Sequence, residues 1–221
     1  MTLPTAAVQR PGRWWSPIDP QARAWVVCCL AWAVLSLCFQ ALPGHAWEWR
    51  LEFAWREPWR WWSAAWVHFG AAHLAMNLAG CLVVAALGRA AQLGGLWVVA
   101  WLLVWPLSHL GLVLHEAGMA YRGLSGVLHG GVAVASVAMM SQQDRRVRRW
   151  GMAVSVGLAL KVLWELPWRA ELAMGPGGGF VVAAWAHASG ALAGWVVASG
   201  VLGLHLWRLR EPARETPTMR T

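Results

Sequence analysis

Six apolar stretches, at roughly 24–43, 63–88, 94–115, 123–141, 151–166 and 181–207, constrain this chain more than any other feature of it. A helix that crosses a bilayer needs about 20 apolar residues. Lipid offers the backbone no hydrogen-bond partner, so such stretches are driven into helices. Of the 221 residues, 58% are hydrophobic and 13% charged, and the mean hydropathy is +0.45. A water-soluble domain of this length has no means of burying so much apolar surface, whereas a helical membrane bundle requires it. The expected fold is therefore an all-α membrane protein. Its six transmembrane helices would occupy residues 23–207, between polar cytoplasmic tails at 1–22 and 208–221. No small-residue cleavage site follows the first apolar run, which reads as a retained anchor.

The arginines orient the bundle. With both termini inside, 12 of the 18 basic residues are cytoplasmic: Arg10, Arg13 and Arg23, then Arg89, then Arg145, Arg146, Arg148 and Arg149, then four in the C-terminal tail. Five (Arg50, Arg56, Arg60, Arg122, Arg169) fall on outer loops, and Lys161 falls within a span. This asymmetry predicts an N-in/C-in topology. It also accounts for the net charge of +8 through topology and attraction to anionic lipid. The basic residues form no stripe for nucleic acid. Most of the 20 tryptophans sit at predicted span boundaries and read as interfacial anchors. The stretch W-E-W-R-L-E-F-A-W-R-E-P-W-R-W-W (47–62) reads as a segment lying in the interface and stopped by Pro58. Cys28, Cys29, Cys38 and Cys81 fall within apolar spans without metal-ligand spacing, so they read as small hydrophobes. No metal ion or cofactor is expected.

Ionisable groups inside spans are costly and mark candidate functional sites. The second span carries H-F-G-A-A-H-L-A-M-N (68–77), in which His73 and Asn77 stand one turn apart on one face. The fourth opens with G-L-S-G-V-L-H-G (123–130), where Ser125 is flanked by Gly123 and Gly126. The sixth carries H-A-S-G-A-L-A-G (187–194), and its Gly190 and Gly194 have the spacing that lets two helices approach closely. Counted from the cytoplasmic ends at 1.5 Å per residue, Ser125 and His73 each lie about 24 Å up and His187 about 31 Å. Against a core of about 30 Å, all three sit near the outer surface. At one depth, a serine can attack, a histidine can act as base, and the remaining donors can hold an oxyanion.

These motifs, together with P-W-R-W-W at 58–62, resemble the signature set of the rhomboid intramembrane serine proteases, in family order over about residues 25–207. The longer form R-G-L-S-G-V-L-H-G is most similar to the rhombosortase branch. The resemblance implies a serine endopeptidase that cleaves the membrane-anchored, Gly-Gly-type C-terminal tail of secreted bacterial proteins. It also implies an inner-membrane location with the site opening to the periplasm. It assigns Ser125 as nucleophile and His187 as base in a two-residue dyad, with His73, Asn77 and the Ser125 N–H as the oxyanion hole. No acidic third member is expected, since the nearby spans contain no aspartate. Gly123 and Gly126 clear space for a substrate backbone. Many family members carry a tyrosine four residues after the serine; here His129 stands there, either supporting His187 or titrating in its own right. His68, about 140° around an ideal helix from His73, is expected to act mainly on stability.

Other features carry less. H-E-A-G-M (115–119) has Met119 where a zinc site needs its second histidine, so a metalloprotease reading fails. M-G-P-G-G-G-F (174–180) lacks a phosphate-binding Gly-Lys-Ser/Thr and reads as a flexible connection or a mobile cap. Lys161 and Glu165, at i and i+4, read as a mutually neutralising pair or as a substrate gate. Two other classes stay open: a general rhomboid protease of other single-span proteins, and a non-catalytic rhomboid-like binding protein. A proton-linked transporter is disfavoured, because there is no inverted repeat and no intramembrane aspartate chain.

Overall fold

Each of the long apolar stretches forms a helix. The computed structural model describes residues 20–114, 119–168, 173–174 and 181–210. Their order is α1 (Pro20–Phe39), β1 (Trp49–Arg50), α2 (Arg60–Ser63), α3 (Ala71–Ala90), α4 (Leu96–Leu107), β2 (Ala120–Tyr121), α5 (Ser125–Met140), α6 (Arg145–Trp164), β3 (Ala173–Met174), β4 (Val181–Val182) and α7 (Ala184–Arg210). A 3-10 turn over Leu110–Leu114 prolongs α4. Most of both tails, the glycine-rich run at 175–179, and His115 and Glu116 lie outside the described residues.

Four segments are long and apolar enough to cross a membrane: Ala22–Phe39, Ala71–Ala90, Leu96–Leu114 and Ala184–Trp207. The fold is thus a mostly helical, multi-pass membrane protein. At 16 residues, or about 24 Å, α5 is shorter than the hydrocarbon core. α6 opens on R-R-V-R-R, so only its later turns are apolar. The second span starts later than its hydropathy suggests. Helix α3 begins at Ala71, and the run before it is a series of turns and bends, with Ala64 O accepting a hydrogen bond from Gly123 N at 2.9 Å. That tertiary bond uses a backbone group the helix would otherwise need.

Helix α5 is the centre of the molecule, packed against α3, α4, α6 and α7. Its small residues make this possible. Gly126, Gly130, Gly131, Ala133, Ala135 and Ala138 are all buried. The tightest contact is with α7. A Cβ on Gly190 would overlap the Gly126 carbonyl oxygen, and one on Gly194 would lie 2.6 Å from Gly130 O. Without water to drive helices together, such close backbone packing is a main source of association in lipid.

The tryptophans divide between two roles. Trp55, Trp59, Trp150, Trp164, Trp168 and Trp207 are exposed, as anchors should be. Trp25, Trp32, Trp49 and Trp101 are core residues instead. Trp25 and Trp101 stack at 4.7 Å, and their indole N–H groups donate to Val84 O and Val127 O. An indole buried among helices finds a carbonyl as readily as one at the interface, so its position in the sequence does not reveal which role it plays.

The packing makes a direct prediction. Gly190→Ala should cost about 1–3 kcal/mol through overpacking, lowering the unfolding temperature in detergent. Gly203→Ala, on the same helix but with nothing within 4 Å of the new methyl, should leave it unchanged or slightly raised. Equal thermal stability of the two variants in differential scanning fluorimetry would contradict the close α5–α7 seam.

Candidate active site

The segment leading into Ser125 is held before the helix begins. Strand β2 pairs antiparallel with β1, setting Trp49 opposite Tyr121 and Arg50 opposite Ala120. Behind the pair lies the fully buried carboxylate of Glu48, whose oxygens take Arg50 Nε at 2.5 Å and Arg122 Nε at 2.7 Å. Buried Arg60, the arginine of P-W-R-W-W, donates to Glu48 O at 2.7 Å and His45 O at 3.0 Å and pairs with Glu57. Segment 47–62 is therefore a folded piece cross-linked by its charges. Buried charges are stable only when paired and hydrogen-bonded in this way. Tyr121 Oη then donates to Gly123 O at 2.8 Å.

Gly123 has φ +128°, where only glycine is unstrained. A Cβ there would also lie 2.8 Å from the His73 ring. Two steps later Ser125 opens α5, half-buried, among the first-turn N–H groups that no helical carbonyl satisfies. His187 stands in the first turn of α7 and His73 in the first turn of α3. The three helices thus present their chemistry at their N-terminal ends, where the peptide dipoles favour developing negative charge.

Ser125 Oγ lies 2.8 Å from His187 Nε2. The other ring nitrogen, Nδ1, lies 2.7 Å from Glu165 Oε2. A carboxylate only accepts, so Nδ1 carries the proton and Nε2 is the free lone pair that receives the serine hydroxyl. Glu165 Oε1 in turn receives Lys161 Nζ at 2.5 Å. This corrects the sequence reading in one respect: an acid, Glu165, does stand behind the histidine, and it brings its Lys161 partner to the site. A search confined to aspartate misses it. The available signal was that Glu165 closes the span whose outer end borders α7.

His129 is stacked on His187, with ring centroids 4.1 Å apart and planes 12° apart. Its Nδ1 donates to the Ser125 carbonyl oxygen at 2.6 Å. The substitute for the usual tyrosine thus contacts the His187 ring face and the Ser125 carbonyl. His129, Glu165 and His187 are close enough together to share a metal ion. Yet both nitrogens of His187 are engaged, and stacked imidazoles direct their lone pairs side by side rather than at one point.

His73 and Asn77, expected from the sequence as oxyanion donors, are both buried, and a Cβ on Gly123 would lie 2.8 Å from the His73 ring and 3.7 Å from Asn77 Nδ2. Asn77 Nδ2 donates to His73 O at 3.0 Å, and an amide nitrogen holds a second hydrogen for a ligand. His68 precedes α3 instead of lying on it, so the helical angle does not apply. Its ring meets His73 edge-on at 5.1 Å, and neither ring nitrogen has a hydrogen-bond partner among the described residues. Gly126 and Gly190 form the seam between serine and histidine, with Gly194 one turn deeper. His109, to which the sequence assigned no role, is wholly buried and donates from Nδ1 to Trp61 O at 2.7 Å.

No curated protein matches the chain. The family model described as the rhomboid domain matches residues 55–204, 150 of the 221 residues and all four of the polar motifs. With that match, the chain belongs to the rhomboid family, whose members are intramembrane serine proteases.

Proposed function

We propose that this protein is an intramembrane serine endopeptidase with Ser125 as nucleophile and His187 as general base. The observation that carries the reading is the 2.8 Å bond between Ser125 Oγ and His187 Nε2. In the first step His187 Nε2 takes the hydroxyl proton while Oγ bonds to the scissile carbonyl carbon, and the carbonyl π pair moves onto oxygen. The resulting oxyanion is received by the Ser125 N–H, Asn77 Nδ2 and the His73 ring. Collapse breaks the C–N bond, and the imidazolium returns its proton to the leaving amine. Water, activated by the same nitrogen, then releases the acyl group.

The substrate class is the one that the resemblance of R-G-L-S-G-V-L-H-G to the rhombosortase branch implies: a single-span protein whose tail carries a Gly-Gly-type signal. Six spans with both termini inside, in the inner membrane, would open the site to the periplasm. The arginine asymmetry supports this orientation. Reporter fusions after residue 145 should read as cytoplasmic, and a periplasmic signal there would reverse the topology.

Ser125→Ala and His187→Ala should each abolish cleavage of a tail-bearing substrate while the folded protein stays in the membrane. A fluorophosphonate probe should label the wild type and leave Ser125→Ala unlabelled. Full activity in Ser125→Ala would end the serine-protease reading. A substrate with its glycine pair replaced by valines should be cut poorly, and equal cutting would point to a general protease of single-span proteins.

The oxyanion donors act only as charge develops on the carbonyl oxygen, so their loss should appear in kcat rather than KM. Asn77→Ala and His73→Ala should each lower kcat by about 10²–10³-fold, equivalent to roughly 2.7–4 kcal/mol. His68→Ala should alter thermal stability more than turnover. If His68→Ala stopped catalysis in a stable protein while His73→Ala merely unfolded it, the two roles would be exchanged.

A further inference from the structure

We infer that Glu165 is the third, positioning member of the site, and that Lys161 fixes it there. The protein would thus work by a serine–histidine–glutamate chain with a cationic terminus rather than by a dyad. The inference rests on the protease reading above and deepens it. Four groups on three helices form one line of hydrogen bonds: Ser125 Oγ to His187 Nε2 at 2.8 Å, His187 Nδ1 to Glu165 Oε2 at 2.7 Å, and Lys161 Nζ to Glu165 Oε1 at 2.5 Å. The glutamate side chain is 16% exposed and that of His187 8%, so their bond is not an adventitious surface pair, while the Lys161 side chain is 48% exposed and reaches the carboxylate from the solvent-accessible side.

The line has a chemical purpose that a salt bridge alone would not. A neutral imidazole has two tautomers, and only the one with hydrogen on Nδ1 leaves Nε2 able to take the serine proton. Glu165 selects that tautomer by accepting from Nδ1. When the proton moves from Ser125 Oγ to Nε2 and the Oγ–C bond forms, the ring becomes an imidazolium facing an ionised carboxylate. Glu165 keeps its charge throughout and gains no proton, and the imidazolium returns its own to the leaving amine when the C–N bond breaks. His129, stacked on the opposite ring face, offers no charge of that kind while its Nδ1–H is bound to Ser125 O.

Lys161 explains how a carboxylate can stand at this depth. An unpaired ionised carboxyl close to lipid is strongly disfavoured. The ammonium one turn earlier on α6 occupies Oε1 and leaves Oε2 alone directed at the ring. The pair brings its own counter-charge, so the site needs no third ionised group. It also makes α6 part of the site, although the nucleophile and base lie on α5 and α7.

The test uses purified full-length protein in liposomes with a tail-bearing substrate. Glu165→Gln keeps size and shape but removes the charge and, by rotating its amide, can stabilise the wrong tautomer. Loss of the corresponding carboxylate charge in a serine triad costs about 10⁴ in kcat. Here kcat should fall about 10²–10⁴-fold with KM within about threefold, and fluorophosphonate labelling of Ser125 should slow in parallel. Lys161→Met should lower kcat about three- to tenfold, also at unchanged KM. Wild-type kcat in a folded Glu165→Gln protein overturns the inference, as does a loss confined to KM, which would make the pair a substrate gate. If Glu165→Gln does not fold, Lys161→Met decides alone: a kcat effect upholds the chain and a KM effect or none overturns it. Labelling of the wild type separates the two levels. An unlabelled wild type removes the protease reading, whereas a labelled wild type with an indifferent Glu165→Gln removes only the glutamate.

Discussion

The carbonyl of Gly126 stands where a side chain on Gly190 would begin, and the rest of the site depends on that contact. Ser125 and His187 sit one residue before Gly126 and three before Gly190, so the separation of two backbones sets the reach of one hydroxyl to one imidazole. Lipid cannot press helices together as water does. Precision must therefore come from backbone touching backbone, where there is no rotamer to adjust. A methyl group at this seam would move His187 away from Ser125 as a rigid body, and on the protease reading proposed above a shift of about 1 Å would cost about 10²-fold in rate.

The loop knot around Glu48 addresses a different problem. Nothing in the helix seam fixes how the chain enters α5, and that entry decides where the Ser125 N–H points. Glu48, Arg50 and Arg122 clamp β1 to β2, Tyr121 holds Gly123, and Gly123 N binds Ala64 O. The charges are internal mortar rather than surface decoration. Glu48 is shut off from solvent, so losing its arginine partners would strand a buried charge at about 3–5 kcal/mol. The same arginine that helps mark the family in sequence, Arg60, is a structural member of this knot and touches no reacting group.

Much of this was legible in the sequence because membrane chemistry is restrictive. Hydropathy finds helices where no other backbone state is allowed, and a polar residue at that depth needs a reason. Ser125, His187, His73 and Asn77 stood out on those grounds, and Gly190 by its spacing. The missed features share one cause: they depend on which side chains meet across elements. Glu165 is 22 residues from His187, and its i, i+4 lysine already gave it a sufficient local partner. Trp49 reads as an interfacial anchor until Tyr121 is set opposite it and buries it. His68 was assigned to a helix by hydropathy, yet the chain spends that stretch reaching Gly123. In each case a local pattern had two outcomes, and a contact distant in sequence chose between them.

The brevity and burial of α5 have a consequence for how the molecule comes into being. A segment of about 24 Å that turns its surface towards other helices is a poor anchor by itself. It gains its lining only when α7, whose His187 follows Ser125 by 62 positions, has been synthesised and docked. Until then Ser125 has been made without His187, and Glu165, at the end of α6, has no imidazole beside it. On the protease reading proposed above, the nascent chain would be inert towards its neighbours in the bilayer, and competence would arrive when α7 closes against α5.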